Sequence, residues 1–508
     1  MDGRSFSKTK NFMKRSVVLV AALTGAAAVI RFATLGEQSY WYDETVTVSL
    51  MHRSLAEMLR ALPTSETAPP LYYLVAWPWS RIFGFSEFSL RALSAVAGTA
   101  TVPVVYGCGC TFVSRRVGFV AAALAVSSPL LVWYSQEARA YSLLVLLSAL
   151  SFFFFARAWA EPSRTSLVWW AVCSALAIAT YYFAALLVLA ECAGLILHHR
   201  RRRAIWYAAI APAAATILLL PLAAFQAHRG NASWIGSLPL SLRVEEAIRQ
   251  LATPTPAPVW AGAGSFEYVT RSRWLLALAL LAIALVALIL LGERHERRRG
   301  LIALAFATTV LAGPLIVSVL GPLIFNRSDT FNRTDTFLYR GLLPAWVPLT
   351  VFIGAGLATR RSGMIGALAA VALVAVSMSV VIDINKDDTL QRDDWRALAA
   401  ASNTTCNSIV LVSPGYEAHA LLHYRRDLRP ISQKKVLADE IVVLRRSKRP
   451  LKLHLPGFEL TTRTIQYWSL EGFAARHPVH VSPAQLADEL TLGDTTALRP
   501  TQSRCGHL

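Results

Sequence analysis

Leu71-Tyr72-Tyr73-Leu74-Val75-Ala76-Trp77-Pro78-Trp79-Ser80-Arg81-Ile82-Phe83-Gly84-Phe85 is the stretch on which the fold turns. It is apolar, yet short for a ~30 Å hydrocarbon core, which takes roughly 20 helical residues to cross. It also contains Pro78 and Arg81. If it crosses a membrane, every later loop changes side. Longer apolar segments run at 16–34, 88–113, 117–134, 141–159, 166–182, 183–198, 204–222, 274–292, 301–322, 341–359 and 363–382. Lys8, Lys10, Lys14 and Arg15 precede the first of them. Suppose that end is cytoplasmic and 71–85 does not cross. Arg115-Arg116, Arg157 with Arg164, Arg200-Arg201-Arg202-Arg203, Arg294 to Arg299 and Arg360-Arg361 then all fall inside. If it does cross, all of them fall outside. The cytoplasmic excess of Lys and Arg in membrane proteins selects the first arrangement. The expectation is an all-α polytopic membrane protein of eleven spans, N-terminus inside, with 71–85 an interfacial or re-entrant helix.

The composition fits. Of 508 residues, 55% are hydrophobic and 16% charged. A net charge of +19 would suggest nucleic acid for a soluble chain. Here the excess is Arg at span ends, which reads as topology and headgroup contact, with no nucleic-acid partner. Val17 to Ala33 has no small-residue cleavage site after it, so it reads as a retained span. Cys108, Cys110, Cys173 and Cys192 lie in apolar segments as packing residues, not in zinc-site spacing. Cys406 and Cys505 bracket the C-terminal polar region, where a disulfide is allowed.

Two domains are expected: a membrane domain, 1–382, with an external loop 35–87, and an external α/β domain, 383–508. The second shows strand-like runs at Ser408–Val412, Ile441–Leu444 and Thr464–Trp468, and helical runs at Glu417–Tyr424 and Pro483–Leu490. The loop around Pro254, Pro256 and Pro258 reads as irregular. Asn231, Asn326, Asn332 and Asn403 each begin an Asn-x-Ser/Thr triplet on the outer side. The acid pairs Asp387-Asp388 and Asp393-Asp394 read as a solvated face or a helix cap.

With this topology, polar residues gather outside. Asp43 and Glu44 follow the first span, and His52 lies in the same loop. Gln136, Glu137 and Arg139 sit between the third and fourth spans, and Tyr339 and Arg340 open the tenth. Charges this close to a bilayer core are costly and often functional. Glu137 and Arg139 either pair and snorkel or belong to an active site. An inverting sugar transfer needs a carboxylate to take the acceptor's proton and cations where the leaving phosphate develops charge. Asp43 fits the first need. Arg139 and Arg340 fit the second, since a guanidinium binds phosphate through two N–H groups. Glu44 joins Asp43 at the catalytic position, Tyr339 joins the arginines at the phosphate, and Glu137, Gln136 and His52 would support; Glu44 or Glu137 could hold a divalent cation. There is no Gly-rich nucleotide loop and no Asp-x-Asp triplet, so no nucleotide cofactor is expected.

Asp43-Glu44, Pro69-Pro70-Leu71-Tyr72-Tyr73, Phe83-Gly84, Ser89-Leu90-Arg91, Tyr134-Ser135-Gln136-Glu137-Ala138-Arg139-Ala140-Tyr141, Tyr339-Arg340 and Asp394-Trp395-Arg396 occur in that order. This series resembles the bacterial branch of the membrane-embedded glycosyltransferases of the GT-C class. That class includes the protein O-mannosyltransferases and the aminoarabinose transferase of lipid A. The resemblance implies a polyprenyl-phosphate sugar donor, a catalytic Asp in the first external loop (by position Asp43), and transfer on the outer face of a bacterial inner membrane. Two departures stand out: many relatives carry a His or Lys where this chain has Thr67-Ala68, and many read Arg-Tyr where it reads Tyr339-Arg340. The expected activity is inverting transfer of a sugar from a polyprenyl-phosphate carrier to a lipid, glycan or protein acceptor. The alternatives are a lipid-linked-sugar transporter and a non-catalytic envelope-assembly protein.

Overall fold

The computed structural model describes all residues except 1–2, 231–232, 253–266, 325–336, 403, 432–433, 448–457, 466–467 and 502–508. The Asn-x-Ser/Thr asparagines, the Pro254–Pro258 run and Cys505 lie outside the described residues. The chain forms two compact units. One is Met1–Leu35 with Leu50–Ile384, and the other is Gly36–Ser49 with Asn385–Leu508. The expected division at 382/383 gave the whole loop 35–87 to the membrane domain. In the structure 36–49 joins the C-terminal unit, because its backbone is hydrogen-bonded there.

The membrane unit is helical. Among the described residues seven helices are long and apolar enough to span: Lys14–Phe32, Glu87–Phe112, Tyr141–Ala160, Arg203–Arg229, Arg294–Leu320, Tyr339–Leu357 (its first turns 3-10) and Gly363–Lys386. An eighth is broken, with Arg115–Ser127 and Pro129–Ser135 meeting at 55°. Ser128 caps the second piece by accepting from the Leu131 N–H, and Pro129 lacks the N–H that a continuing helix would use. Three more apolar helices, Arg164–Thr180, Ala184–His198 and Leu275–Leu291, are shorter. Each expected apolar segment is therefore helical, and seven or eight of them meet the length of a span. The protein is an integral membrane protein.

Leu71–Phe83 is a helix of 13 residues. It ends at Gly84, whose φ of 90° suits a residue without a Cβ. Arg81 donates to the Met51 and Arg53 carbonyls at 2.9 and 2.6 Å and lies over the Trp77 ring. Its charge thus sits on backbone oxygen and an aromatic face. Elsewhere, Gly98 lets two helices close up, since a Cβ there would stand 2.0 Å from Ser135 Oγ. Ser135 in turn accepts from the wholly buried Arg31 at 3.1 Å. Arg31 also donates to the Ala27 and Ala125 carbonyls. This pins the end of the first span beside the Ser135–Ala140 turn.

The C-terminal unit holds one six-stranded sheet: β1 (Ser408–Ser413), β2 (Leu428–Pro430), β3 (Val436–Arg445), β4 (Phe458–Ile465), β5 (Trp468–Val481) and β6 (Thr496–Pro500). Its order is β2-β6-β1-β3-β5-β4, with β1 and β3 parallel and the other pairs antiparallel. Strand side chains alternate between faces. Val410 and Val412 pack with Trp395, Leu398 and Leu421, whereas Ile409 and Leu411 pack with Phe473 and Leu486. Helices therefore cover both faces, as the expected α/β domain requires. The run Thr464–Trp468, read as one strand, holds two strand ends: Ile465 ends β4, Trp468 opens β5, and the two pair antiparallel. Asp394 caps the helix Trp395–Ala401, accepting from the Ala397 N–H at 3.0 Å. Cys406 is disulfide-bonded, and Cys108, Cys110, Cys173 and Cys192 are free thiols.

Candidate functional site

Sequence-derived site residues fall in both units. In the membrane unit, Arg340 sits at the 3-10 start of the Tyr339–Leu357 helix. Its guanidinium meets the Tyr141 hydroxyl at 3.5 Å and lies 5.7 Å from the Trp234 ring centre. Tyr134 stacks beside Tyr141, with ring centres 4.5 Å apart. Tyr339 is close enough to both Tyr134 and the Arg340 charge to interact with them, and the buried Glu137 to Tyr134 and Tyr339. The structure thus brings Glu137, Tyr339 and Arg340 together, as the sequence suggested, and adds Tyr134, Tyr141 and Trp234. An apolar cleft of about 340 Å³ lies in the same unit. Tyr182, Phe183, Leu186, Leu219, Val317 and Phe337 line it, and Phe337 is three residues from Arg340 along the chain.

Arg139 is engaged differently. Its two terminal nitrogens donate to both oxygens of Glu66 at 2.6 and 2.9 Å, and both side chains are nearly buried. Glu66 ends the helix Leu55–Ser65, and its N–H reaches the Leu62 carbonyl. The sequence did not single it out, because nothing links positions 66 and 139 except the fold. Tyr73 packs against this pair, and burial raises its pKa well above the usual value. Gln136 is taken up by the end of the first span, donating to the Arg31 carbonyl and to Thr34 Oγ1. His52 stacks on Phe85 at 4.2 Å and is exposed.

Asp43 and Glu44 occupy the first turn of the helix Tyr42–Met51, within the C-terminal unit. Glu44 is fully buried, and its carboxylate accepts from the Trp41 N–H at 3.5 Å. That is the contact of a capping-box acid, and the helix N-terminus favours its charge. Asp43 is half-buried. Close by, Arg446 bridges two carboxylates, Asp393 at 2.5 Å and Glu417 at 3.3 Å. One cation cannot neutralise both. Burial, with Asp393 and Asp43 as negative neighbours, outweighs Arg446 and pushes Glu417 up to about 8. Burial raises Asp393 too, against the pull of Arg446. This triad was also invisible in the sequence, where Glu417 read only as the start of a helix. Among the described residues no group of three or more His, Cys, Asp or Glu is arranged to hold a metal ion.

No curated protein matches the chain by sequence. Among solved structures it is similar to ArnT from Cupriavidus metallidurans bound to undecaprenyl phosphate. The identity is 14% and the TM-score 0.41, over 90% of this chain and 97% of that one. For the same protein in its apo state the figures are 13% and 0.37, with the same coverage. The oligosaccharyltransferase of Archaeoglobus fulgidus, in complex with Zn and sulfate, is similar at 11% identity and a TM-score of 0.42. That match covers 80% of this chain and 61% of that one. The chain resembles the membrane-embedded glycosyltransferases of the GT-C class, and over residues 67–227 it matches the family of dolichyl-phosphate-mannose-protein mannosyltransferases.

Proposed function

We propose that the protein is an inverting glycosyltransferase that moves a sugar from a polyprenyl-phosphate carrier to an acceptor on the outer face of the membrane. The observation that carries this reading is Arg340 with its ring of tyrosines and Trp234, in a unit that also holds an apolar cleft bordered by Phe337. A guanidinium with hydroxyl groups suits a phosphate, and an apolar cleft suits a hydrocarbon chain. Arg340 is the first phosphate-holding cation, with Tyr339 and Glu137 shaping its surroundings. Arg139 joins only by giving up Glu66.

Asp43 is the general base. It takes the proton of an acceptor O–H as that oxygen bonds to the sugar's anomeric carbon. The bond from that carbon to the phosphate oxygen breaks, and its electron pair leaves on the polyprenyl phosphate. The arginine stabilises the added negative charge. Glu44 caps the helix that carries Asp43. In this reading the N-terminus is cytoplasmic, following the arginine clusters, and the C-terminal unit is external.

The test uses the full-length protein in proteoliposomes with labelled undecaprenyl-phosphate mannose and native envelope membranes as acceptor. Release of undecaprenyl phosphate is measured. Asp43→Asn should lower the rate by about 100-fold or more while leaving the melting temperature unchanged. Wild-type release by that variant would remove Asp43 from the mechanism. Movement of labelled lipid across the bilayer without phosphate release would mark a transporter instead.

A further inference from the structure

The segment that carries Asp43 is held residue by residue to the C-terminal unit. Arg396 donates to the Gly36 carbonyl at 3.3 Å and also to that of Glu37. Gln38 Oε1 accepts from the Arg392 backbone N–H and side chain at 3.3 and 3.2 Å. Ser39 Oγ donates to the Asp393 carbonyl and accepts from the Trp395 N–H, both at 2.9 Å. The Tyr40 N–H donates to the Tyr424 hydroxyl at 2.6 Å. These contacts fix the chain up to the start of the helix.

Resting on the reading of Asp43 as base, we propose that His419 is a positioning residue that sets the rotation of the helical turn bearing Asp43, through a hydrogen bond to Thr45. His419 Nδ1 and Thr45 Oγ1 are 3.0 Å apart. The Thr45 hydroxyl has one hydrogen, and it goes to the Tyr42 carbonyl at 2.7 Å. Toward His419 that oxygen therefore accepts, and Nδ1 carries the hydrogen. Partial burial lowers the imidazole's pKa, which favours the neutral ring, and the residue stays in part exposed. The same ring lies edge-on to Tyr42 at 6.2 Å, and Tyr416 also lies edge-on to Tyr42 at 5.2 Å. His419 thus touches the residue before Asp43 and the residue two after it. A turn held at residues 42 and 45 resists rolling about the helix axis, and a roll would swing the Asp43 carboxylate. Misplacing a reacting group by about 1 Å can cost on the order of 100-fold in rate.

Asparagine offers an N–H at nearly the position of Nδ1, whereas leucine fills the space without a donor. Glutamine places its N–H further out. In the proteoliposome assay, H419N should keep kcat within about 3-fold of wild type. H419L and H419Q should lose about 10-fold or more in kcat at an unchanged donor KM. T45V, which deletes the accepting oxygen, should match H419L, and the double variant should be no worse than either single one. Independently of activity, amide hydrogen exchange over 42–46 should speed up in H419L and return in H419N. A fully active H419L, or an H419N no better than H419L, would overturn the proposal. If H419L fails to fold, T45V reads the same bond. D43N run in parallel separates the two ideas: an active D43N removes the base and this proposal with it, whereas an inert D43N beside an unaffected T45V removes only the role of His419.

Discussion

Two arginines, one in each unit, meet buried carboxylates in different ratios. Arg139 faces the carboxylate of Glu66, two N–H groups on two oxygens. The pair is neutral as it stands. Arg446 faces Asp393 and Glu417 together. Burial, with Asp393 and Asp43 as negative neighbours, pushes Glu417 up to about 8, so one carboxyl of that group keeps its proton to near that pH. Interacting acids of this kind titrate as a unit rather than singly. The membrane unit therefore contains a fixed ion pair, and the C-terminal unit a group that responds to pH. The first resists change until one partner is lost, whereas the second changes across the physiological range.

The largest expected effect breaks the first pair. Arg139→Ala leaves Glu66 buried and uncompensated, at a cost of roughly 3–5 kcal/mol. Thermal unfolding in detergent should show a marked drop, and Glu66→Ala should do the same. Changing both to methionine should recover most of the loss, because apolar packing replaces a buried ion pair at little cost. A single variant that melts like wild type would show that the fork is not what holds the Glu66 turn in place.

The next effect is pH-dependent and belongs to the second group. Unfolded, Glu417 releases its proton near the ordinary glutamate value of 4.5, whereas in the folded chain it does so at about 8. The folded state therefore binds more protons across that window. Its contribution to stability is complete below about 4.5 and is lost as pH rises through about 8. Asp393 shifts in the same direction and adds to the slope. Hydrogen exchange in β1 and β3, corrected for the intrinsic rate, should show the C-terminal unit opening more readily at pH 8 than at pH 5, by a few kcal/mol at most. Glu417→Gln keeps the shape without the titration and should flatten the curve. An unchanged slope in that variant would move the proton to some other group.

The sequence revealed what the solvent dictates and concealed what only the fold brings together. Apolar runs had to be helices, because lipid offers no partner for backbone polar groups. β1, β3 and the helices near 418–424 and 483–489 were legible from their patterns, and Asp394 from the preference for Asp at a helix start. The Arg139–Glu66 fork joins positions 73 apart, and Arg446 reaches Asp393 over 53. No local pattern records such pairs. The break at Ser128-Pro129 lay hidden inside a continuous apolar run. Thr464–Trp468 misled because it holds the end of one strand and the start of the next, and both are strand-like. The attachment of 36–49 to the C-terminal unit was illegible for the same reason as the arginine pairs, since each anchor is more than 350 residues away. Of the expected site residues, Glu137, Tyr339 and Arg340, picked out by charge and position, lie near one another in the structure. Gln136 and His52 were picked out by the same rule, but their polar atoms and ring are taken up by neighbours.

The smallest effect concerns how the Arg446 group is tied to the segment it adjoins. Ser39 both receives the Trp395 N–H and gives its own hydrogen to the Asp393 carbonyl. Trp395 is wholly buried, so this hydroxyl serves a backbone N–H that water does not reach. The same N–H also approaches the Asp393 carbonyl at 3.1 Å, which softens the loss. Ser39→Ala should therefore cost about 1 kcal/mol, the usual worth of one internal hydrogen bond. The change should appear as faster exchange at the Trp395 amide and across 36–40. Because Asp393 keeps its side-chain contact with Arg446 in this variant, the pH slope set by Glu417 should stay as it is. If Ser39→Ala also flattens that slope, the tie and the shared proton are one device rather than two. The contrast with the Arg139–Glu66 pair would then be sharper still.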